Sequence, residues 1–539
     1  MLVPLALVWT TVLLAPQTRA FEQNPVTHPQ AEVFEFNSFD EDADHLRGPY
    51  FESLNCVELS PGEMCERVAT VSPDEDGNFF VELPDIDDAQ DAAALEDAYA
   101  EVAAYFHADR FYAHLFEYDV PPPLCFDQGL RLTLVVNVRS SPDDEGTPGW
   151  FGGAFFTRDC ERGIILGQAE HADLAYDGDL VYHEVAHAAI DALSGEDIYL
   201  DGSRALPHAV GNDPAALNEG TADFLSAAFA GDPVLGEYVE EYAGLGRRLD
   251  HDLGCPQALV GERHLDGRAW AAALYSLWEQ HGDSFYAAVL DTAAALPSDA
   301  DFAEASAILQ EMVGARIGSA AALDVETTLE ARGLLDCRRV LAPEAVEELY
   351  LIPDADFTPF RPAPLQLELP VLDALSTVTV RYIGTQFGDD WTIEAVVGRG
   401  GPVAFTYDDT AEPTIVSHDA AEVLDGSGGS LTLELDPDEA AYLSLFNAGA
   451  DLIVLRDFEV EVEPLDEPSD TETDAPPAPT QLDDDGGCAC QAGPTTPAGA
   501  VWLMLFVVFA FRRTCRSGVR RAPSSSVREK RTVDPLSSS

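Results

Sequence analysis

The residues with the clearest chemical potential are His183-Glu184-Val185-Ala186-His187. They lie between Leu180-Val181-Tyr182 and Ala188-Ala189-Ile190, a helix-forming context. Four positions apart on a helix, the two imidazoles project from one face and can hold one ion at about 2.0–2.1 Å. Glu184 is then placed beside water on that ion. Zinc lowers the pKa of such a water to about 7, and a neighbouring carboxylate can accept its proton. The motif is short, and alone it equally describes a solvated helical face of His and Glu.

A hydrolytic zinc needs a third protein ligand. Asp213-Pro214 forms a helix start, with Asp as cap and Pro in the first turn. The helix continues Ala215-Ala216-Leu217-Asn218-Glu219-Gly220-Thr221-Ala222-Asp223-Phe224, so Glu219 and Asp223 share one face. Glu219 suits the third ligand position. Asp223 suits the outer nitrogen of a ligand histidine, the carboxylate–histidine–zinc arrangement.

These motifs resemble the gluzincin peptidases, specifically the thermolysin-like and fungalysin-like families, over roughly residues 87 to 345. Asn218-Glu219-Gly220-Thr221-Ala222-Asp223 satisfies both Asn-Glu-x-x-x-Asp and Glu-Gly-x-x-Asp, and His187-Ala188-Ala189-Ile190-Asp191 looks like the continuation of the zinc helix. The resemblance implies a zincin-type α+β fold, a mixed sheet with an active-site helix and a helical C-terminal subdomain, cutting protein or peptide substrates. It implies that His264, in His264-Leu265-Asp266-Gly267-Arg268-Ala269-Trp270-Ala271, and Tyr199 support the oxyanion. It also implies that Gly153-Ala154-Phe155-Phe156 is an edge strand binding substrate backbone, with Gly153 where the families keep Asn. The 32 residues from His187 to Glu219 exceed the thermolysin-like spacing, implying an insertion around Gly202 to Asn212 that contains His208. Gly220-Thr221-Ala222-Asp223 also resembles the aspzincins, in which the Asp is the ligand, but Phe224-Leu225-Ser226 lacks their Tyr-Gly.

Other elements must position these groups. Leu95, Tyr99, Val102 and Phe106 mark a helix from Asp87 to about Tyr118, ended by Pro121-Pro122-Pro123. Strands are expected at 132–138, 154–157 and 164–166, with helices dominating from Asp179 to about Leu349. His107 and His114 fall on the first helix and read as packing residues. Beyond 346 the period becomes two, as in Leu431-Thr432-Leu433-Glu434-Leu435, predicting an all-β, sandwich-like module to residue 463. Residues 21–86 are acidic with short strand-like pieces, and residues 464–487 are an acidic Pro/Thr-rich linker.

The 539 residues carry 97 Asp+Glu against 29 Lys+Arg, a net charge of -68. That surface repels nucleic acid and anionic lipid and favours hydrated cations, so acidic turns such as Asp436-Pro437-Asp438-Glu439 are candidates for calcium. Leu2 to Leu14, Pro16 and Thr18-Arg19-Ala20 read as a signal peptide spanning 1–20, cut after Ala20. In an exported chain, Cys56, Cys65, Cys125, Cys160, Cys255 and Cys337 suggest disulfides, and pairing in sequence order keeps each bridge local.

Residues 488–539 hold Cys488-Ala489-Cys490, an apolar stretch from Ala498 to Phe511 and a basic tail from Arg512. This end resembles the C-terminal sorting signals of myxobacterial surface proteins, with Ala489 where they usually have Gly. The resemblance implies that Cys488 or Cys490 carries lipid once the helix is removed. A single-pass membrane anchor is the other reading. Both place the catalytic region outside the cytoplasm, at the cell surface or outer membrane, or secreted after processing. The expectation is a zinc endopeptidase; the rival is an inert zincin-fold adhesion or scaffold protein.

Overall fold

The computed structural model describes residues 15–465, except 41–42, 59–64, 86–96, 140–148, 196–203, 207–208, 212, 244–245, 352–360, 363–364, 388–390, 408–412, 426 and 450. The leader to Leu14, Tyr199, His208, Cys488, Cys490 and the apolar C-terminal stretch therefore lie outside the described residues. Among those described, no helix is long and apolar enough to cross a membrane.

The chain opens with β1 (Gln17–Ala20) antiparallel to β2 (Glu32–Glu35). Thr18 and Ala20 are fully buried, and the Thr18 hydroxyl donates to the Phe79 carbonyl at 2.9 Å. A cut after Ala20 would remove this strand from the fold. β3 (Phe51–Glu58) and β4 (Glu66–Val68) follow, then α1 (Ala98–Phe116), capped by Asp97, whose side chain accepts from Tyr99 N–H. After the short α2 (Leu124–Asp127) come β5 (Leu132–Val138), β6 (Ala154–Phe156) and β7 (Ile164–Gly167). The five strands order as β4-β3-β5-β7-β6, with β3, β5 and β7 parallel and β6 antiparallel at the edge. The near-continuous apolar run of β5 suits a strand covered on both faces. Because β3 lies inside this sheet, the N-terminal residues share one core with the domain expected from residue 87 onward.

α3 (Gly178–Ser194) packs against α1 and beside β6, and ends at Gly195, whose φ of +81° continues the chain in a conformation that favours glycine. The hairpin β8 (Arg204–Leu206) and β9 (Ala209–Gly211) leads into α4 (Asp213–Ala230). Next come β10 (Val234–Leu235), α5 (Glu237–Ala243) and β11 (Arg247–Arg248), with β10 and β11 paired. Four helices follow: α6 (Arg263–His281), α7 (Asp283–Ala295), α8 (Phe302–Arg316) and α9 (Ser319–Ala331).

Beyond these helices the described residues form strands and one short 3-10 turn. β12 (Val340–Leu341), β13 (Glu348–Leu351), β14 (Arg361–Pro362), β15 (Gln366–Glu368), β16 (Ser376–Phe387) and β17 (Thr392–Arg399) come first. The hairpin β18 (Ala404–Tyr407) and β19 (Pro413–Ser417) precedes β20 (Ala420–Asp425), β21 (Gly428–Leu435), β22 (Ala441–Asn447) and β23 (Leu452–Pro464). One sheet runs β12-β15-β22-β17-β20, with β14 also on β22, and the other runs β13-β23-β16-β21. In β21 the period of two is literal: Leu431, Leu433 and Leu435 are buried while Thr432 and Glu434 face outward. Cys56–Cys65, Cys125–Cys160 and Cys255–Cys337 are bonded, with Cα separations of 5.3, 5.6 and 5.5 Å.

Candidate metal centre

α3 places His183 and His187 one turn apart, 3% and 6% exposed. Their Nε2 atoms stand 3.0 Å from each other and 3.2 and 3.3 Å from Glu219 Oε2 of α4. Donors bound tetrahedrally to one zinc at about 2.0–2.1 Å would be separated by about 3.3 Å. Glu219 Oε2 is buried without a well-aligned hydrogen bond, as are both Asp223 oxygens. Two imidazoles and a carboxylate fit zinc in chemistry and spacing. Among the described residues, no other cluster of three His, Cys, Asp or Glu side chains offers donors this close.

The outer nitrogens are held as well. His183 Nδ1 lies 2.8 Å from Asp223 Oδ1, and His187 Nδ1 lies 2.9 Å from Asn218 Oδ1. With Nδ1–H turned to an oxygen, each Nε2 lone pair is free for an ion. Asp223 also faces Arg247 of β11, whose Nη2 is 2.9 Å from the same oxygen and 3.4 Å from His183 Nδ1. Burial and Arg247 both press the His183 pKa down, but Asp223 and Glu219 outweigh them and lift it to about 9. The imidazole pocket thus favours a positive charge, a proton or a metal ion. Burial alone would raise the Glu219 carboxyl, yet His264, His187 and His183 hold it well below the usual range.

His264 approaches from α6. Its Nε2 is 3.4 Å from Glu219 Oε1 and its Nδ1 is 2.7 Å from Glu262 Oε1, with the side chain 38% exposed. Desolvation at its inner end opposes charge, but Glu219 and Glu262 raise its pKa. Glu262 also caps α6, accepting from Leu265 N–H at 3.0 Å. Glu184 is 5% exposed and makes no side-chain hydrogen bond or ion pair with the described residues, which leaves its carboxylate available for chemistry.

The approach of α4 to α6 depends on two glycines. A Cβ on Gly220 would stand 2.4 Å from the Gly267 carbonyl oxygen, and one on Gly267 would stand 2.6 Å from that of Ala216. Trp270 Nε1–H donates to Thr221 Oγ1 at 3.1 Å beside this crossing. Glu219 and His264 flank these contacts.

No protein-family model and no curated protein matches the chain. Among solved structures it is similar to the precursor of protealysin, a metalloproteinase from Serratia proteamaculans. The two are 17% identical with a TM-score of 0.35, over 55% of this chain and 90% of that one.

The geometry thus brings together His183, His187, Glu219, Asp223 and His264, with Asp223 beside Nδ1 of His183 and Glu219 beside its Nε2; Glu184 follows His183 on α3. Three contributors went unassigned in the sequence. Arg247 and Glu262 lie outside any motif quoted above, and Asn218 was visible only as a motif letter. Their signal was weak: Glu262 is two residues before His264, and Arg247 belongs to a two-residue strand. The β6 edge borders α3. His107 is a core residue, its Nδ1 2.8 Å from the Tyr182 hydroxyl, with burial lowering its pKa to about 3. His114 packs on Phe229 and Tyr286. In the turn offered for calcium, Glu439 pairs with Arg399 of β17 at 2.5 Å and accepts from Asp436 N–H at 3.2 Å.

Proposed function

We propose that the chain is an extracytoplasmic zinc-dependent endopeptidase of gluzincin type. The carrying observation is the convergence of His183 Nε2, His187 Nε2 and Glu219 Oε2, with Asp223 and Asn218 behind the imidazoles and His264 at the other Glu219 oxygen. Zinc, held by His183, His187 and Glu219, would supply Lewis acidity toward the scissile carbonyl and acidify water. Glu184 accepts the proton of the attacking water and delivers it to the leaving amine. His264, oriented by Glu262, donates toward the developing oxyanion. The edge of β6 holds the peptide backbone by strand addition. Tyr199 is a second candidate donor to the oxyanion.

The test is zinc content together with chelator-sensitive cleavage of casein. Wild type is expected to cut, Glu184→Gln to bind zinc without cutting, and Glu219→Ala to lose zinc. Zinc bound by both wild type and Glu184→Gln with cleavage by neither would instead support an inert scaffold.

The leader, the paired cysteines and the Cys488-Ala489-Cys490 end support export with retention at the surface, through a lipidated cysteine or a membrane anchor. The C-terminal sheets would form a sandwich-like module that holds the enzyme near its substrate. Mass spectrometry of both mature ends tests this: an N-terminus at Met1 would refute export through a cleaved leader, a C-terminus at lipid-bearing Cys488 or Cys490 would support processing, and one at Ser539 would leave the membrane anchor.

A further inference from the structure

The helices bearing Glu219 and His264 share an anchor far along the chain. α4 begins at Asp213, and the buried guanidinium of Arg339 pairs with its carboxylate; both residues are 2% exposed. The second Asp213 oxygen accepts from Phe302 N–H at 3.4 Å. The Arg339 charge also bears on Asp266, in the first turn of α6: burial raises that carboxyl to about 7, and the guanidinium opposes the rise. Asp266 accepts from Val260 and Gly261 N–H at 2.7 and 3.1 Å, closing the loop that enters α6. Arg339 therefore pairs directly with the first turn of α4, while its charge is felt by Asp266 in the first turn of α6. At about 1.5 Å of rise per residue, Asp213 is about 9 Å along the axis from Glu219, and Asp266 is two residues from His264.

The backbone of Arg339 belongs to the C-terminal sheets. Its carbonyl accepts from Gln366 N–H at 2.9 Å, and the next two residues are β12, parallel to β15. Cys337, just before it, is bonded to Cys255 on the approach to α6, and Tyr350 N–H donates to the Val260 carbonyl at 2.7 Å. A buried ion pair adds little net stability, because removing two charges from water offsets their attraction. An arginine fork does impose a direction and a separation that apolar packing does not.

We propose that Arg339 is a positioning residue for the metal centre, fixing the first turn of α4 to the segment that Cys337 and Tyr350 tie to the entry of α6, so that Glu219 and His264 meet. The C-terminal sheets are then part of the catalytic unit rather than an appendage. This rests on the zinc-peptidase reading and extends it to residues that touch neither metal nor substrate.

The experiment uses the full chain as wild type, Arg339→Lys, Arg339→Met, and Arg339→Met combined with Asp213→Asn, which removes the Asp213 charge that the single change would leave unpaired. Thermal melting, zinc affinity by competition with a chelating dye, and kcat and KM on a peptide are measured for each. Arg339→Met is expected to weaken zinc binding at least tenfold and lower kcat at least tenfold, with KM within twofold. The double variant should regain melting temperature but neither zinc affinity nor kcat, and Arg339→Lys should recover part of both. If Arg339→Met fails to fold, the double variant and the lysine variant carry the comparison. Wild-type zinc affinity and kcat in the folded double variant would overturn the proposal, leaving Arg339 a purely structural residue. A wild-type chain that binds no zinc would instead overturn the zinc reading itself, and this proposal with it.

Discussion

Replacing Gly220 by alanine sets two effects of opposite sign against each other. In an exposed helix interior, alanine is favoured over glycine by about 0.8–1.0 kcal/mol. At Gly220 the new Cβ would stand 2.4 Å from the Gly267 carbonyl oxygen, 3.1 Å from its carbon and 3.2 Å from Trp270 Cδ1. Cβ contacts under 3.0 Å are essentially never seen, so α4 and α6 must part by at least 0.6 Å. The nearest atoms are backbone, so no side chain can swing aside. Overpacking of this kind costs about 1–3 kcal/mol, more than the propensity gain. The residue beside the strain is Glu219, and metal–ligand distances tolerate only about 0.2 Å. Gly220→Ala is therefore expected to lower the melting temperature and weaken zinc about 10- to 100-fold, the range seen when support behind a ligand is lost. Calorimetry with and without zinc and dye competition read both effects. Gly314→Ala in α8 is the control: its Cβ would meet only Ala322 Cβ at 3.5 Å, so propensity should win and the melting temperature should rise. A Gly220→Ala protein that melts as high as the Gly314→Ala control and binds zinc like wild type would refute the close helix crossing.

Other perturbations test separate parts of the structure. Asp223→Asn removes the anion behind His183 and should weaken zinc about 10- to 100-fold in a dye-competition titration while the chain stays folded. His264→Ala should lower kcat about 10²- to 10³-fold in steady-state kinetics, with zinc content unchanged, as expected for a lost oxyanion donor. Glu101 is buried, accepting from Thr70 N–H and its hydroxyl, and burial raises its carboxyl from 4.5 to about 7. Its folded pKa exceeds its unfolded one, so its contribution is fully present below about pH 4.5 and is lost as pH rises to about 7, a change of about 3 kcal/mol. Glu101→Gln should accordingly raise the melting temperature at pH 8 and leave it nearly unchanged at pH 4. Removing the Cys125–Cys160 bridge by a double serine substitution frees a 35-residue loop and should cost about 4 kcal/mol in denaturant unfolding.

What was legible in the sequence was what repeats with the period of a helix or strand. His183 with His187, and Glu219 with Asp223, are each four apart, so their shared faces follow from helix geometry alone. The buried run Leu132–Val138 and the alternation in Leu431–Leu435 likewise follow from local pattern. Contacts between elements left no such trace. Glu219 and Asp223 carry the same chemistry on the same face, and only the position of α4 against α3 sends one to the Nε2 side and the other to Nδ1. The Gly220–Gly267 crossing joins residues 47 apart whose only sequence signal is the absence of a side chain.

Charge explains why Arg247 belongs with the metal centre although no motif contains it. Glu184, Glu219, Asp223 and Glu262 are four carboxylates around the imidazoles of His183, His187 and His264, in a chain already at -68. An ion of charge two held by His183, His187 and Glu219 leaves Asp223 to be neutralised from behind, and Arg247 stands 2.9 Å from it. Arg247 and His183 both meet Asp223 at the same oxygen, so the guanidinium offsets its charge beside the imidazole. The division of labour between two acidic residues on one helix face thus depends on a basic residue from a short strand that the sequence pattern alone would leave unassigned.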